Sequence, residues 1–251
     1  MAKETDVDED EEDIKIASIY DNKEIITCGN MEMDKKMGGG IPAGSLVIIE
    51  GGNDTGKSVI SQQLMWGALQ QGFTLASYTT ENTIKSLLKQ MDSLSLDISD
   101  YFVFGYLRIY PIHVGGDGVD EDFPFLDYIV ADIKSRQSEI ILIDSLTVFV
   151  TGAPESDILN FFTRCKDLCD SGRTIIITVH TFAFGEELLT RVRSICDAHL
   201  SIKKEEIGDK LVKTMEVAKI RGALKRTGNV IAFDVEPSFG VRIIPVSKAK
   251  I

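Results

Sequence analysis

A chain of 251 residues, 43% of them hydrophobic, carries enough apolar material for one sizeable core. Its formal net charge is −12, and residues 1 to 13 account for −7 of it, with eight acids against Lys3, so the remainder is still acidic at −5. Duplex binding depends on Lys and Arg neutralising phosphates, so nucleic acid is not expected as the main partner. No transmembrane helix is expected, since no apolar run reaches roughly 18 to 20 residues, and no signal peptide is expected, since the start is acidic. A cytoplasmic protein is expected.

The acidic start has no aromatic residue and no hydrophobic periodicity, which predicts a disordered tail over 1–15 and one folded domain over 16–251. Met37 to Gly44 is rich in Gly and reads as a loop. Ser45 to Glu50 is a short apolar run bounded by glycines, as a buried parallel strand requires. From Ser58 the apolar residues Ile60, Leu64, Met65, Ala68 and Leu69 recur at helical spacing until Gly72. A strand over Thr74 to Thr79 follows, then a helix bearing Ile84, Leu87, Leu88 and Met91 on one face. Tyr101 to Phe125, with acids at Asp117, Asp120, Glu121 and Asp122, gives no clear assignment.

Glu139 to Asp144 is a further buried strand. Ile158, Phe161, Phe162, Cys165 and Leu168 form a helical stripe that stops at Gly172 and leads into the strand Thr174 to His180. Strands alternating with helices imply right-handed βαβ units and a parallel sheet covered on both faces. From Ala198 the texture changes. Ala198 to Ile202, Thr214 to Ile220, Val230 to Val235 and Val241 to Val246 are strand-like and are expected as antiparallel additions to the sheet edge. Cys28, Cys165, Cys169 and Cys196 form no CxxC pair and read as reduced, mostly buried thiols.

Gly51-Gly52-Asn53-Asp54-Thr55-Gly56-Lys57-Ser58 matches the phosphate-loop pattern GxxxxGK(S/T), with the buried strand before it and the helix after it that the motif demands. The glycines let backbone N–H groups close around phosphates, the helix N-terminus adds partial positive charge, Lys57 reaches the terminal phosphates and Ser58 offers a hydroxyl to Mg²⁺. ATP with Mg²⁺ is therefore the expected ligand, bound by Gly52, Asn53, Asp54, Thr55, Gly56, Lys57, Ser58 and Val59. The motif needs a carboxylate near the metal at the end of a neighbouring strand, and Asp144 closes such a run. Hydrolysis needs a group that activates water. Glu81 after the second strand can serve, or it can be an acid complementing the dipole of the next helix. Lys219 and Arg221, two apart on a strand, point the same way and are either phosphate contacts or a solvated face. His180, Thr178 and Thr181 stand at a strand end where a γ-phosphate can be sensed, or they simply cap the strand.

The run from Cys28 to Ser45, with its Gly38-Gly39-Gly40-Ile41-Pro42 turn, leads into the phosphate loop; with Leu142 to Ser145 and Ala218 to Gly222 it resembles the ATPase domain of KaiC-like members of the RecA superfamily. The resemblance spans nearly all the chain after the tail. It implies an α/β, RecA-like P-loop fold with a mainly parallel central sheet, helices on both faces and antiparallel C-terminal strands. Within the family, the wording of Gly51 to Leu69, Ser77 to Thr83 and Leu87 to Leu94 is similar to that of the accessory ATPases of the archaellum, the archaeal flagellum. That likeness implies a homo-oligomer, in all expectation a hexameric ring, peripheral to the inner face of the membrane at the archaellum base. Its implied partners are the motor ATPase and membrane-associated motor proteins.

Carried over residue by residue, the resemblance makes Lys219 and Arg221 a pair offered to ATP bound by the neighbouring subunit. One departure matters. The family usually has two adjacent glutamates after the second strand, the first being the catalytic base, whereas this chain has Thr80-Glu81. ATP would then be bound but cleaved slowly or not at all, unless Glu81 compensates. Three readings follow: a nucleotide-gated assembly scaffold, a hydrolysing ATPase or autokinase with Glu81 as base, and, disfavoured by the acidity, a DNA-repair accessory.

Overall fold

The apolar runs separated by helical stripes assemble into one large sheet in the computed structural model, which describes residues 23–112, 124–207 and 210–245. The expected tail over 1–15, the acids Asp117, Asp120, Glu121 and Asp122, and Val246 lie outside the described residues. A short antiparallel pair, β1 (Ile25–Ile26) and β2 (Ile41–Pro42), flanks helix α1 (Met31–Lys36). Then come β3 (Leu46–Gly51), α2 (Lys57–Gln70), β4 (Leu75–Thr79), α3 (Ile84–Ser93), α4 (Ser99–Val103), β5 (Leu107–Pro111) and α5 (Phe125–Ser135). They are followed by β6 (Ile140–Asp144), α6 (Thr147–Val150), α7 (Glu155–Asp170), β7 (Thr174–His180), a 3₁₀ turn (Thr181–Ala183) and α8 (Glu186–Ile195). The chain closes with β8 (Ala198–Ile207), β9 (Lys210–Ile220), β10 (Val230–Glu236) and β11 (Gly240–Ile244).

The sheet has nine strands in the order β11-β10-β9-β8-β3-β7-β6-β4-β5. The strands from β8 to β5 are parallel, and β9, β10 and β11 add antiparallel to them. This corrects one expectation: Ala198 to Ile202 is not an antiparallel addition but pairs parallel with β3, Val47 opposite Ala198. The reason is α8, whose buried stripe of Leu188, Leu189 and Val192 supplies the crossover that a parallel partner needs. Tyr101 to Phe125 contributes the end of α4 and the outermost strand β5, with 113–123 outside the described residues.

Alternation along each buried strand divides the core between the two faces. Val47 and Ile49 pack with Ile60, Leu64 and Ala68 of α2 and with Leu87 and Met91 of α3. Leu46 and Ile48 pack on the other face with Phe161, Phe162 and Cys165 of α7 and Leu189 and Val192 of α8. All four cysteines are free and buried, as expected. Because the central strands are parallel, their carboxyl ends meet at one edge, which is where an open α/β sheet presents its ligand crevice.

Candidate functional site

The turn from β3 into α2 wraps backbone around the place a phosphate would take. Gly56 is the N-cap of α2 at φ 100°, left-handed backbone that favours glycine, and Asp54 is left-handed too at φ 53°. A cleft of about 370 Å³ opens here, lined by Asn53, Asp54, Gly56, Lys57, Ser58, Val59, Glu81, Gln90 and His180. Gly52 and Thr55 brace the loop from within, since the Gly52 carbonyl accepts from Lys57 Nζ at 2.7 Å and from Thr55 Oγ1 at 3.1 Å. Lys57 Nζ also lies 3.4 Å from His180 Nδ1. Burial lowers the Lys57 ammonium below its ordinary value, against the charges of Glu81, Asp144 and Asp54 that favour it. The lysine is thus held in the cleft by a backbone carbonyl and a ring nitrogen, uncharged partners that a phosphate anion can replace.

Asp144, at the carboxyl end of β6, meets the first turn of α2. Its Oδ1 accepts from Ser58 Oγ at 3.2 Å and from Thr178 Oγ1 at 2.5 Å. Burial pushes its carboxyl up to about 6, and Glu81 adds to the rise, while Thr178, Ser58 and Lys57 work against it. A buried carboxylate and a hydroxyl side by side form a hard-oxygen donor set that suits Mg²⁺ held jointly with nucleotide phosphate oxygens. Ser58 and Asp144 are the residues that would hold it.

Thr178 is therefore an orienting partner of Asp144. Thr181 is exposed on the 3₁₀ turn, and His180, in contact with Lys57, is the strand-end residue that reaches the phosphate loop. The His180 N–H donates to Thr147 Oγ1 at 3.0 Å, and its ring stacks on Phe182 at 5.0 Å.

Thr80 and Glu81 separate in role. Thr80 Oγ1 accepts from the Ser145 N–H at 3.2 Å, and the Thr80 N–H donates to the Asp144 carbonyl at 3.0 Å, tying β4 to β6. Glu81 precedes the N-cap Thr83 of α3, whose side chain accepts from Ser86 N–H, so Glu81 stands outside the helix's first turn. It faces the cleft instead, close enough for its charge to act on Lys57, Asp144 and His180.

Lys219 and Arg221 lie elsewhere. Register sets Lys219 opposite His199 and Ile220 opposite Ala198, and Ala198 opposite Val47. Lys219 is thus level with Ile48, about 10 Å back along β3 from Gly51, with Arg221 further back. Both point to the face covered by α7 and α8, whereas α2 covers the other. Lys219 Nζ donates to the Arg193 carbonyl at 2.7 Å, and Arg221 Nη2 to that of Ser194 at 3.2 Å, at the C-terminus of α8. Neither residue lines the cleft at this chain's phosphate loop.

Gln90, which lines the cleft, and Thr147, which accepts from the His180 N–H, are residues that no sequence pattern singles out. Glu50, a buried acid in an apolar strand just before the phosphate loop, did carry a signal.

The family model described as "ATPase: KaiC" matches residues 26–248. The archaeal flagellar ATP-binding protein FlaH of Sulfolobus acidocaldarius is 34% identical over 90% of this chain and 99% of its own length. The FlaH of Methanocaldococcus jannaschii is 30% identical over 84% of this chain and 91% of its own. Among solved structures, the flagellar accessory protein FlaH from M. jannaschii superposes with TM-score 0.76 at 28% identity, covering 89% of this chain and 99% of that one. A KaiC-like protein from Pyrococcus horikoshii shares the fold at TM-score 0.70 and 22% identity.

Proposed function

The chain belongs to the KaiC ATPase family and, within it, to the group of archaeal flagellar ATP-binding proteins FlaH, and from that premise we propose that it is an ATP-binding, ring-forming component of the archaellum motor complex. ATP occupancy sets ring formation and docking to the motor ATPase and membrane-associated motor proteins, from the cytoplasmic side, and hydrolysis is weak. Gly52 to Val59 bind ATP, Ser58 and Asp144 hold Mg²⁺, and Lys219 and Arg221 reach phosphates bound by the next subunit of a hexameric ring.

The observation that carries this reading is the division of labour in the structure. The binding groups Lys57, Ser58 and Asp144 converge, the position of the usual base is a threonine whose hydroxyl is engaged with the Ser145 backbone, and the basic pair lies on the far side of the sheet. Loss of Lys219's own helix-end contact in exchange for a phosphate on the neighbour would make assembly depend on nucleotide.

A second reading, a hydrolysing ATPase or autokinase, is favoured by one observation: Glu81 lines the cleft and can serve as base.

The test is mass photometry or light scattering of the purified protein with ATP, ADP or neither, alongside phosphate release, for wild type and Lys57→Ala. Rings with ATP, little phosphate release and no response in Lys57→Ala support the scaffold. Rapid release at unchanged mass overturns it in favour of the second reading.

A further inference from the structure

Glu50 is the last residue but one of β3, the strand that runs into the phosphate loop, and its side chain is only 2% exposed. A carboxylate there is costly unless paired. Arg193 of α8 supplies the pair in fork geometry, Nε to Oε2 at 3.0 Å and Nη2 to Oε1 at 2.5 Å. His199 Nε2 adds a contact at 3.1 Å that is poorly aligned for a hydrogen bond. Burial raises the Glu50 carboxyl, but His199 and Arg193 outweigh it and hold it below its ordinary value. None of Glu50, Arg193 and His199 lines the phosphate-loop cleft.

The same turn of α8 carries the basic pair. The Arg193 carbonyl accepts from Lys219 and the Ser194 carbonyl from Arg221, so both cations sit on the negative end of the helix dipole. Arg221 Nη1 is also 3.4 Å from Asp197 Oδ1, and Asp197 Oδ2 accepts from the Leu46 N–H at 2.9 Å, at the start of β3. The last turn of α8 is thus fixed on one side to the strand that ends in the phosphate loop. On the other side it holds Lys219 and Arg221.

We propose that Arg193, anchored by Glu50, is a positioning residue for Lys219 and Arg221: α8 is the strut that aims the pair at the neighbouring subunit and ties its placement to the strand feeding the subunit's own phosphate loop. The inference rests on the reading of that pair as a contact in trans. Its consequence is directional coupling around the ring, because a shift of β3 on nucleotide binding reaches the next site through a salt bridge and one helical turn.

The experiment uses the full chain and reads two quantities: affinity for a fluorescent ATP analogue at subunit concentrations too dilute for assembly, and the subunit concentration at which ATP drives assembly. In Arg193→Met the first stays near wild type and the second rises about tenfold, a coupling of ordinary size. Introduced into Lys219→Ala/Arg221→Ala, Arg193→Met adds nothing further, since it acts through the pair, and Arg193→Lys in the wild-type background restores assembly in part.

Wild-type assembly of Arg193→Met, or a full additional shift in the triple variant, overturns the proposal, the latter by marking a merely structural role. If Arg193→Met fails to fold because Glu50 is left unpaired, Glu50→Gln/Arg193→Met removes both charges and carries the same comparison. If Lys219→Ala/Arg221→Ala alone assembles like wild type, it is the reading of the pair in trans that has failed, and this inference falls with it.

Discussion

Ser58 Oγ and Asp144 Oδ1 stand 3.2 Å apart between the first turn of α2 and the end of β6, with Thr178 donating to the same carboxylate oxygen at 2.5 Å. Everything expected of Mg²⁺ binding depends on that carboxylate, whose burial has a measurable consequence without ligand. Its carboxyl is raised from 3.8 to about 6 in the fold. Between those values the native state binds its proton more tightly than the unfolded chain, so this group lowers stability as pH rises through the window, by an order of 3 kcal/mol once above it. Asp144→Asn should therefore melt several degrees higher than wild type at pH 8 without ligand, and show little gain at pH 4, in calorimetry. A variant that melts lower at pH 8 would refute this account. Mg²⁺-dependent ATP binding should be lost in the same variant.

Lys57→Ala should weaken ATP binding by roughly 100-fold, the loss of charge-assisted hydrogen bonds of about 1.5–3 kcal/mol. Burial already disfavours the ammonium in the fold. Removing it should leave the melting temperature of the ligand-free protein nearly unchanged. Titration calorimetry with ATP and a thermal melt decide both parts.

Thr80 and Glu81 make opposite predictions for phosphate release. Thr80→Glu places a carboxylate where the family carries its base and should raise turnover by about 100-fold or more. Glu81→Gln should abolish the residual rate, because Glu81 is the carboxylate from outside the phosphate loop that lines the cleft with Lys57 and His180. A Glu81→Gln protein with undiminished release would remove Glu81 from catalysis.

Gly67 is a packing prediction. A Cβ there would lie 2.2 Å from the Thr27 carbonyl oxygen and 2.5 Å from the Cys28 carbonyl carbon, both backbone. The segment carrying Thr27 and Cys28 is held in place by Asp34, which accepts from the Thr27 hydroxyl and from the Cys28 N–H, and by Gln63 Nε2 donating to the Cys28 carbonyl at 2.8 Å. Gly67→Ala should destabilise by about 2 kcal/mol or more and lower the melting temperature by at least about 4 °C. An unchanged melt would show that α2 can move away from this segment at little cost.

Much of this protein is legible as local pattern. The alternation of SLVIIE, EIILID and TIIITVH with amphipathic stripes defines a parallel sheet, because strands buried on both faces must be apolar throughout while helices need only one apolar face. The phosphate loop is equally local, since its chemistry is backbone geometry and dipole within eight consecutive residues. Asp144 stands out in the sequence because a strand end beside such a loop is where the motif expects its acid, and the fold brings it to Ser58.

Other features depend on register and on contacts distant in sequence. That β8 pairs parallel with β3 follows from α8, a crossover helix with only a short apolar stripe between two strands. That Lys219 and Arg221 stand away from the phosphate loop follows from β9 running antiparallel two strands away, which no spacing of residues reveals. Glu81 was ambiguous between helix acid and cleft carboxylate until the cap at Thr83 placed it before the helix. The Glu50 and Arg193 pair joins positions 143 apart in the chain. Local sequence determines which residues can form strands, loops and helices, because those choices are made over a few bonds. Which side chains then face one another is decided by packing of the whole sheet, where a single crossover or reversal of direction changes every neighbour.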